Sequence, residues 1–211
     1  MTRAQPRAIV FDLGGVVFDW QPVRLIAREL RSRIVDYDDA RRWAGEIFQS
    51  YGGDWFEFDR GTLGADELIV RTAHRTGLSA DEMRRIVEAL PHTLVPLPAS
   101  TALLQRLAAQ GHRLHFLSNM PAPYAEHLLR EHGRVFELFS GGVFSCDVKL
   151  VKPERAIFDY ALNRFGLGAG DALLLDDYAA NIDAARAADW RAVHFRDAAQ
   201  AEQALLEFGI D

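Results

Sequence analysis

Residues Ala8-Ile9-Val10-Phe11 run apolar without a break and end on Asp12, after which come Leu13 and the glycine pair Gly14-Gly15. A run of this kind reads as a β-strand buried on both faces, the type found in parallel sheets. Such a strand offers Asp12 no wetted side. The carboxylate has to sit where the strand stops, its charge answered by a cation or by hydrogen-bond donors. Open α/β sheets gather their ligands at those strand ends. Taken alone, an acid after a strand is equally the start of an Asx turn. A second apolar run, Ala172 to Leu175, also ends in acid, at Asp176 and Asp177, and two such tips in one chain imply one shared site.

The rest of the chain supports a parallel sheet with helices on both faces. Candidate strands are Ala8 to Phe11, Arg113 to Leu117, Gly142 to Ser145, Ala172 to Leu175 and Ala192 to Phe195, the last four linked by single crossover helices. A helix over Pro98 to Ala109 carries Leu103, Leu104 and Leu107 and stops at Gly111; one over Pro153 to Phe165 carries Ile157 and Ala161 and stops at Gly166. Between the first two strands no strand pattern occurs. Helical signals fill that stretch: Ile26, Leu30 and Ile34; Trp43 and Ile47; Leu68 and Thr72 before Gly77; and a capping box from Ser79 to Glu82 ahead of Met83, Ile86 and Val87. The expected organisation is a core of residues 1–19 and 96–211 and a helical insertion of residues 20–95, with prolines at both joints.

Composition narrows the setting. The chain has 211 residues, 49% of them hydrophobic and 26% charged, enough for a full core plus an insertion. A net charge of −6, with bases interspersed among acids, argues against a nucleic-acid partner. Cys146 is the single cysteine, which excludes an intrachain disulfide, suits a reducing cytoplasm and reads as a small buried hydrophobe. Met1 to Arg7 lacks an apolar segment of signal-peptide length, and no apolar run is long enough for a membrane span. His112, His115, His127 and His132 have no acids at ligand spacing and predict no metal site.

Polar groups cluster at the strand ends. Ser118-Asn119 follow the second strand, where a hydroxyl and a backbone N–H can grip a phosphate oxygen. Lys152, ahead of Pro153 at a helix start, directs an ammonium and a positive helix end toward the same anion. Asn181 lies on the first turn of the helix after Asp177. Singly, these could be a turn, a surface lysine and a residue near a helix cap. Together, in this order, they describe an anion site beside an acidic one.

Phe11-Asp12-Leu13-Gly14-Gly15-Val16, Leu117-Ser118-Asn119, Lys152-Pro153 and Asp176-Asp177-x-x-x-Asn181-Ile182 resemble the four motifs of the haloacid dehalogenase superfamily, across nearly the whole chain. The resemblance implies a Rossmann-like α/β core with the first strand central and a helical cap inserted after the first motif. It further implies an Mg²⁺-dependent phosphohydrolase acting on a small phosphorylated metabolite. Asp12 would be the nucleophile. Asp12, the Gly14 carbonyl and Asp177 would hold Mg²⁺. Ser118, Asn119 and Lys152 would bind the phosphoryl group, and Asp176 and Asn181 would stand behind them. Hard oxygen ligands with open water positions suit that ion.

The chain departs from the family pattern at Gly14, where such phosphatases usually carry a second Asp as general acid and base. A missing acid is worth about 10²–10⁴ in rate. Three readings follow. The chain is similar to a bacterial subgroup acting on sugar phosphates, whose anomeric leaving oxygen needs less protonation; or the acid comes from Asp19, Asp54, Glu57 or Asp59; or the protein binds phosphate with little or no turnover. A 2-haloacid dehalogenase needs no metal, and the Asp176-Asp177 pair speaks against it. Tyr178 and Arg186 read as helix residues rather than site contacts. Trp20, Trp43, Tyr51 and Trp55 read as exposed aromatics of the cap that pack between its helices, with Trp55 or Phe58 expected to face the crevice.

Overall fold

The computed structural model describes residues 5–49 and 52–211, so Tyr51 and the first part of the N-terminal stretch lie outside the described residues. Five parallel strands form one sheet: β1 (Ala8–Phe11), β2 (Leu114–Ser118), β3 (Gly141–Phe144), β4 (Ala172–Asp176) and β5 (Arg191–His194), in the order β3-β2-β1-β4-β5. β1 is central, pairing Phe11 with Phe116 of β2 on one side and with Leu175 of β4 on the other. The chain leaves β1 toward one edge and returns to build the other, which opens a crevice beyond the carboxyl end of β1.

Before β2 come five helices and a sixth that returns to the sheet: α1 (Pro22–Glu29), α2 (Tyr37–Phe48), α3 (Gly53–Arg60), α4 (Ala65–Thr76), α5 (Ala80–Ala89) and α6 (Pro98–Ala109). The remainder are α7 (Ala122–Glu131), α8 (Gly133–Phe136), α9 (Ser145–Val148), α10 (Arg155–Phe165), α11 (Ala179–Ala187) and α12 (Ala198–Leu206). Local chemistry sets several ends. Asp36 caps α2 by accepting from the Asp39 N–H, Ser79 and Glu82 form the reciprocal capping box of α5, and Gly77 and Gly166 close α4 and α10 in the left-handed region.

The strands alternate their faces. Ile9, Phe11, Leu173 and Leu175 join one apolar cluster, while Ala8, Val10, Ala172 and Leu174 join another packed under α10 and α11. The first cluster runs on without a gap into Ile26, Ile47, Leu68 and Ile86 of the helical insertion. Insertion and sheet therefore share one core across that face. Among the described residues, no helix is long and apolar enough to cross a membrane.

Several sequence expectations need correcting. β2 is shifted one residue later than expected, to end on Ser118, and β3 and β5 begin and end one residue earlier. Single crossover helices do not hold throughout: α7 and α8 separate β2 from β3, and α9 and α10 separate β3 from β4. α10 begins at Arg155 rather than Pro153. The helix through Ile26 stops at Glu29, so Ile34 lies beyond it, in the segment leading to the Asp36 cap.

Candidate active site

Asp12 leaves β1 with its N–H bonded to the Leu175 carbonyl at 2.9 Å, and its Oδ1 accepts from the Leu13 N–H at 2.7 Å. Lys152 is buried and its Nζ lies 2.9 Å from Asp12 Oδ1 and 2.6 Å from Asp176 Oδ2. Asp176 closes β4 and is fully saturated: Lys152 Nζ, the Tyr178 N–H at 2.9 Å, and Asn181 Nδ2 at 3.0 and 3.1 Å all donate to it. Asn119 and Lys152 are locked together, Asn119 Nδ2 donating to the Lys152 carbonyl and the Lys152 N–H to Asn119 Oδ1, both at 2.8 Å. A buried ammonium held this way is fixed in place by neighbours on three separate segments.

The crevice encloses about 410 Å³, within the range of about 300–1,000 Å³ usual for small-molecule sites. Asp12, Gly14, Ser118, Asn119, Lys152, Asp177 and Asn181 all line it, and Asp176 lies beneath them. Carboxylate oxygens of Asp12, Asp176 and Asp177 come within 4.8 Å of one another. Gly15, at φ +76°, lets Asp177 approach this closely, because a Cβ there would overlap the Asp177 carboxylate. With Asp176 committed to Lys152 and Asn181, the ligand oxygens left for a hard cation belong to Asp12 and Asp177. No donor reaches the Gly14 carbonyl among the described residues. An oxygen-only set of this kind fits Mg²⁺.

Charge crowding shows in the acidities. Asp12 is raised to about 7, by burial above all, against the pull of Lys152 and with the push of Asp176 and Asp177. Asp177, exposed at the crevice mouth on one side, is raised to about 6 by desolvation and by Asp176. Lys152 is raised, its desolvation outweighed by the charges of Asp12 and Asp176. The site therefore carries more negative charge than one ammonium balances, which is the condition for taking up a dication.

The helical insertion supplies the opposite wall. Trp20, Phe48, Trp55, Leu90 and Leu94 line it together with Tyr124 of α7, and the charged groups among them are Arg41 and Asp59. Phe48, Trp55, Phe58 and Tyr124 form an edge-to-face chain with centroids 4.5, 5.8 and 5.6 Å apart. Trp55 faces the crevice, and Phe58 sits behind it.

The acids considered in place of Gly14 divide clearly. Asp54 pairs with Arg71 and Arg75, Glu57 with Arg60 and Thr62, and Asp19 accepts from Gln21; none of the three lines the crevice. Asp59 does line it. Its carboxyl is raised to about 8, by burial first and by Asp12 second.

Other side chains depart from the sequence expectation. Trp55 is buried rather than exposed, while Trp20 and Trp43 are half-buried and Trp43 stacks under Arg42 away from the crevice. Tyr178 is a crevice residue as well as the N-cap of α11, whereas Arg186 bonds the Ala192 carbonyl. Sequence reasoning missed the place of Arg41, Tyr124, Leu90 and Leu94 in the crevice, since no local pattern distinguishes them from other helix residues. His115 stacks on Phe165 at 4.1 Å with Nδ1 3.2 Å from the Gly141 carbonyl, as a core side chain. The Cys146 thiol is pushed up to about 11 by burial and by Asp147.

Comparison with known proteins bears on this geometry. The haloacid dehalogenase-like hydrolase family is matched over residues 6–189. A sesquiterpene phosphatase of Aspergillus oryzae is 29% identical over 191 residues, covering 90% of each chain. A phosphoglycolate phosphatase of Yersinia pseudotuberculosis is 28% identical over 192 residues, 86% of this chain and 77% of that protein. Among solved structures, a HAD family enzyme of Bacteroides thetaiotaomicron in complex with magnesium and inorganic phosphate superposes with a TM-score of 0.71 at 20% identity, covering 91% of this chain and 95% of the other.

Proposed function

The chain belongs to the haloacid dehalogenase-like hydrolase family, and on that footing we propose that it is an Mg²⁺-dependent phosphomonoesterase acting on a small phosphorylated metabolite, with Asp12 as nucleophile. The observation that carries this reading is the buried Lys152 held between Asp12 and Asp176, beside an Asp177 that forms no ion pair among the described residues. One Asp12 oxygen attacks phosphorus, the ester P–O bond breaks, and water then hydrolyses the aspartyl phosphate. Lys152, the Ser118 hydroxyl and the Asn119 N–H hold the phosphoryl oxygens as charge spreads over them. Asp176, with Asn181, fixes the position of Lys152. Asp12, the Gly14 carbonyl and Asp177 would hold Mg²⁺, which neutralises the repulsion between carboxylate and phosphate dianion. Residues 20–95 act as the cap over a core of residues 1–19 and 96–211, excluding water and selecting the leaving group.

The leaving group is read from the wall opposite Asp12. The sequence favours a sugar phosphate, on the grounds that Gly14 offers no acid. The wall, however, is mainly aromatic and aliphatic, with Arg41 and Asp59 its charged groups, and it gives a polyhydroxylated ring few partners. An ester of a largely apolar alcohol fits better, and the similarity to a sesquiterpene phosphatase supports that order.

The test is Mg²⁺-dependent phosphate release across a panel of prenyl, alkyl and sugar monophosphates, with Asp12→Asn as control. The expected result is metal-dependent turnover, lost in Asp12→Asn and fastest on the apolar esters. Faster turnover of a sugar phosphate would restore the first order. Binding of phosphate without turnover of any ester would instead identify a binding protein. Metal-independent halide release from a 2-haloacid would identify a dehalogenase.

A further inference from the structure

We propose that Asp59, delivered by the helical insertion, is the general acid and base that Gly14 cannot be; this rests on the phosphatase reading above. Asp59 lies near the end of α3 and lines the same crevice as Asp12 and Gly14. Among the described residues its carboxyl takes part in no hydrogen bond or ion pair; the group that acts on it most directly is Asp12, through charge. An acid half-buried in an apolar wall with no partner is an unsatisfied group, and its natural complement is an oxygen of whatever occupies the crevice. Burial and the charge of Asp12 keep it protonated near neutrality. A donor proton is thus available where the ester oxygen departs.

Position matters as much as acidity, and α3 is anchored to the sheet domain at several points. The Ser145 hydroxyl donates to the Asp59 carbonyl at 2.5 Å and accepts from the Met120 N–H at 2.8 Å, tying the acid's own backbone to the segment after β2. Arg60 grips Glu154 through two bonds of 2.9 and 2.7 Å, two residues from Lys152. Lys149 Nζ donates to the Gly61 carbonyl at 2.7 Å, and Gly61, at φ +75°, packs on the Cys146 backbone where a side chain would collide. None of these anchors serves the insertion's own core. Their combined effect is to hold one carboxyl of the insertion in fixed relation to Asp12, Ser118 and Lys152.

The proton balance closes over two steps. As Asp12 Oδ bonds to phosphorus and the ester P–O bond breaks, the Asp59 carboxylic acid gives its proton to the departing oxygen, releasing a neutral alcohol and leaving an Asp59 carboxylate. That carboxylate then takes a proton from the water whose oxygen attacks the aspartyl phosphate, which returns Asp12 as carboxylate, Asp59 as acid, and hydrogen phosphate as product.

The experiment compares wild type and Asp59→Asn, both saturated with Mg²⁺, on two esters: p-nitrophenyl phosphate, whose leaving group needs no proton, and an alkyl phosphate, whose leaving group does. Thermal unfolding checks that the variant is folded. The expected result is a fall in kcat/KM of about 10²–10⁴ on the alkyl ester, little change in kcat/KM on the nitrophenyl ester, and accumulation of phosphorylated enzyme with the latter because the second step lacks its base. Equal effects on both esters, or none on either, would overturn the assignment while leaving the phosphatase reading intact. Wild type that hydrolyses neither ester would overturn that reading, and the assignment with it.

Discussion

Metal uptake by this site should be steeply pH-dependent, and the structure sets how steeply. Without metal, Asp12 titrates at about 7 and Asp177 at about 6, as a coupled pair. Mg²⁺ binds the ionised forms, so below those values it must displace protons. Between about pH 8 and pH 5 the Asp12 proton alone weakens apparent affinity ~100-fold, or about 3 kcal/mol at ~1.4 kcal/mol per tenfold. Asp177 adds less than tenfold, since solvent reaches its outer side. Two carboxylates of ordinary acidity would change the affinity less than about twofold over the same range. The sign for stability follows from the same shift. A carboxyl whose folded pKa exceeds its unfolded value favours the fold only while protonated, so this contribution is complete below about pH 4 and lost as pH rises through about 7. For Asp12 the shift from 3.8 to about 7 corresponds to ~4 kcal/mol at ~1.36 kcal/mol per unit. At ~2–4 °C per kcal/mol for a chain of this size, Asp12 alone should take about 8–16 °C off the Tm of the metal-free protein between about pH 4 and pH 8, and the raised carboxyls of Asp59 and Asp177 act in the same direction. Saturating Mg²⁺ should restore most of that loss at the alkaline end. Calorimetric titration with Mg²⁺ in buffers of differing ionisation enthalpy measures the affinity and the protons released. An affinity constant within twofold from pH 5 to pH 8, or an unchanged pH dependence in Asp12→Asn, would refute the reasoning.

Two further outcomes test other parts of the site. Gly15→Ala should cost about 1–2 kcal/mol of stability for a left-handed backbone and, by pushing the Asp177 carboxylate aside, weaken Mg²⁺ binding ~10–100-fold; titration calorimetry checks both the loss and its absence at other glycines. Arg60→Ala removes a bidentate pair whose Glu154 side is partly solvated, so Tm should fall by only ~2–4 °C, while kcat falls more than KM changes; steady-state kinetics decide, and a pure KM effect would contradict an anchoring role.

The strand-end groups were legible because parallel strands are apolar throughout and stop at the first polar residue the site needs. Asp12, Ser118 and Asp176-Asp177 each follow such a run, and even a one-residue error in the bounds of β2 leaves Ser118 at its tip. Lys152 was legible as a candidate by its place before Pro153, yet nothing local indicates that its ammonium is wholly buried between two acids. The opposite wall was illegible for a different reason. Trp20, Arg41 and Leu90 come from separate parts of the helical insertion and Tyr124 from α7 of the sheet domain, and which face of each helix meets the crevice depends on packing between distant segments. Ser145 is the clearest case: a serine in an ordinary strand-to-helix junction, whose hydroxyl joins the Asp59 backbone to Met120 across the boundary.

Moving the acid from the residue two after the nucleophile to α3 makes the placement of the insertion part of the chemistry. An acid at position 14 would be present whether or not the crevice were covered, and water could complete the reaction on a half-bound ester. With Gly14 there and Asp59 on the insertion, the contact that fixes α3 against the sheet domain also fixes the donor, so nucleophile and acid come from separate parts of the chain. The apolar wall then has two consequences from one cause. It desolvates Asp59, which keeps the carboxyl protonated, and it receives the leaving alcohol, whose poor acidity is what makes that proton necessary. Replacing the wall by polar side chains would therefore weaken selection of the substrate and lower the pKa of the donor toward the ordinary carboxyl range at once, so that activity on alkyl esters would decline through both routes while activity on an ester of an acidic phenol would decline through the first alone.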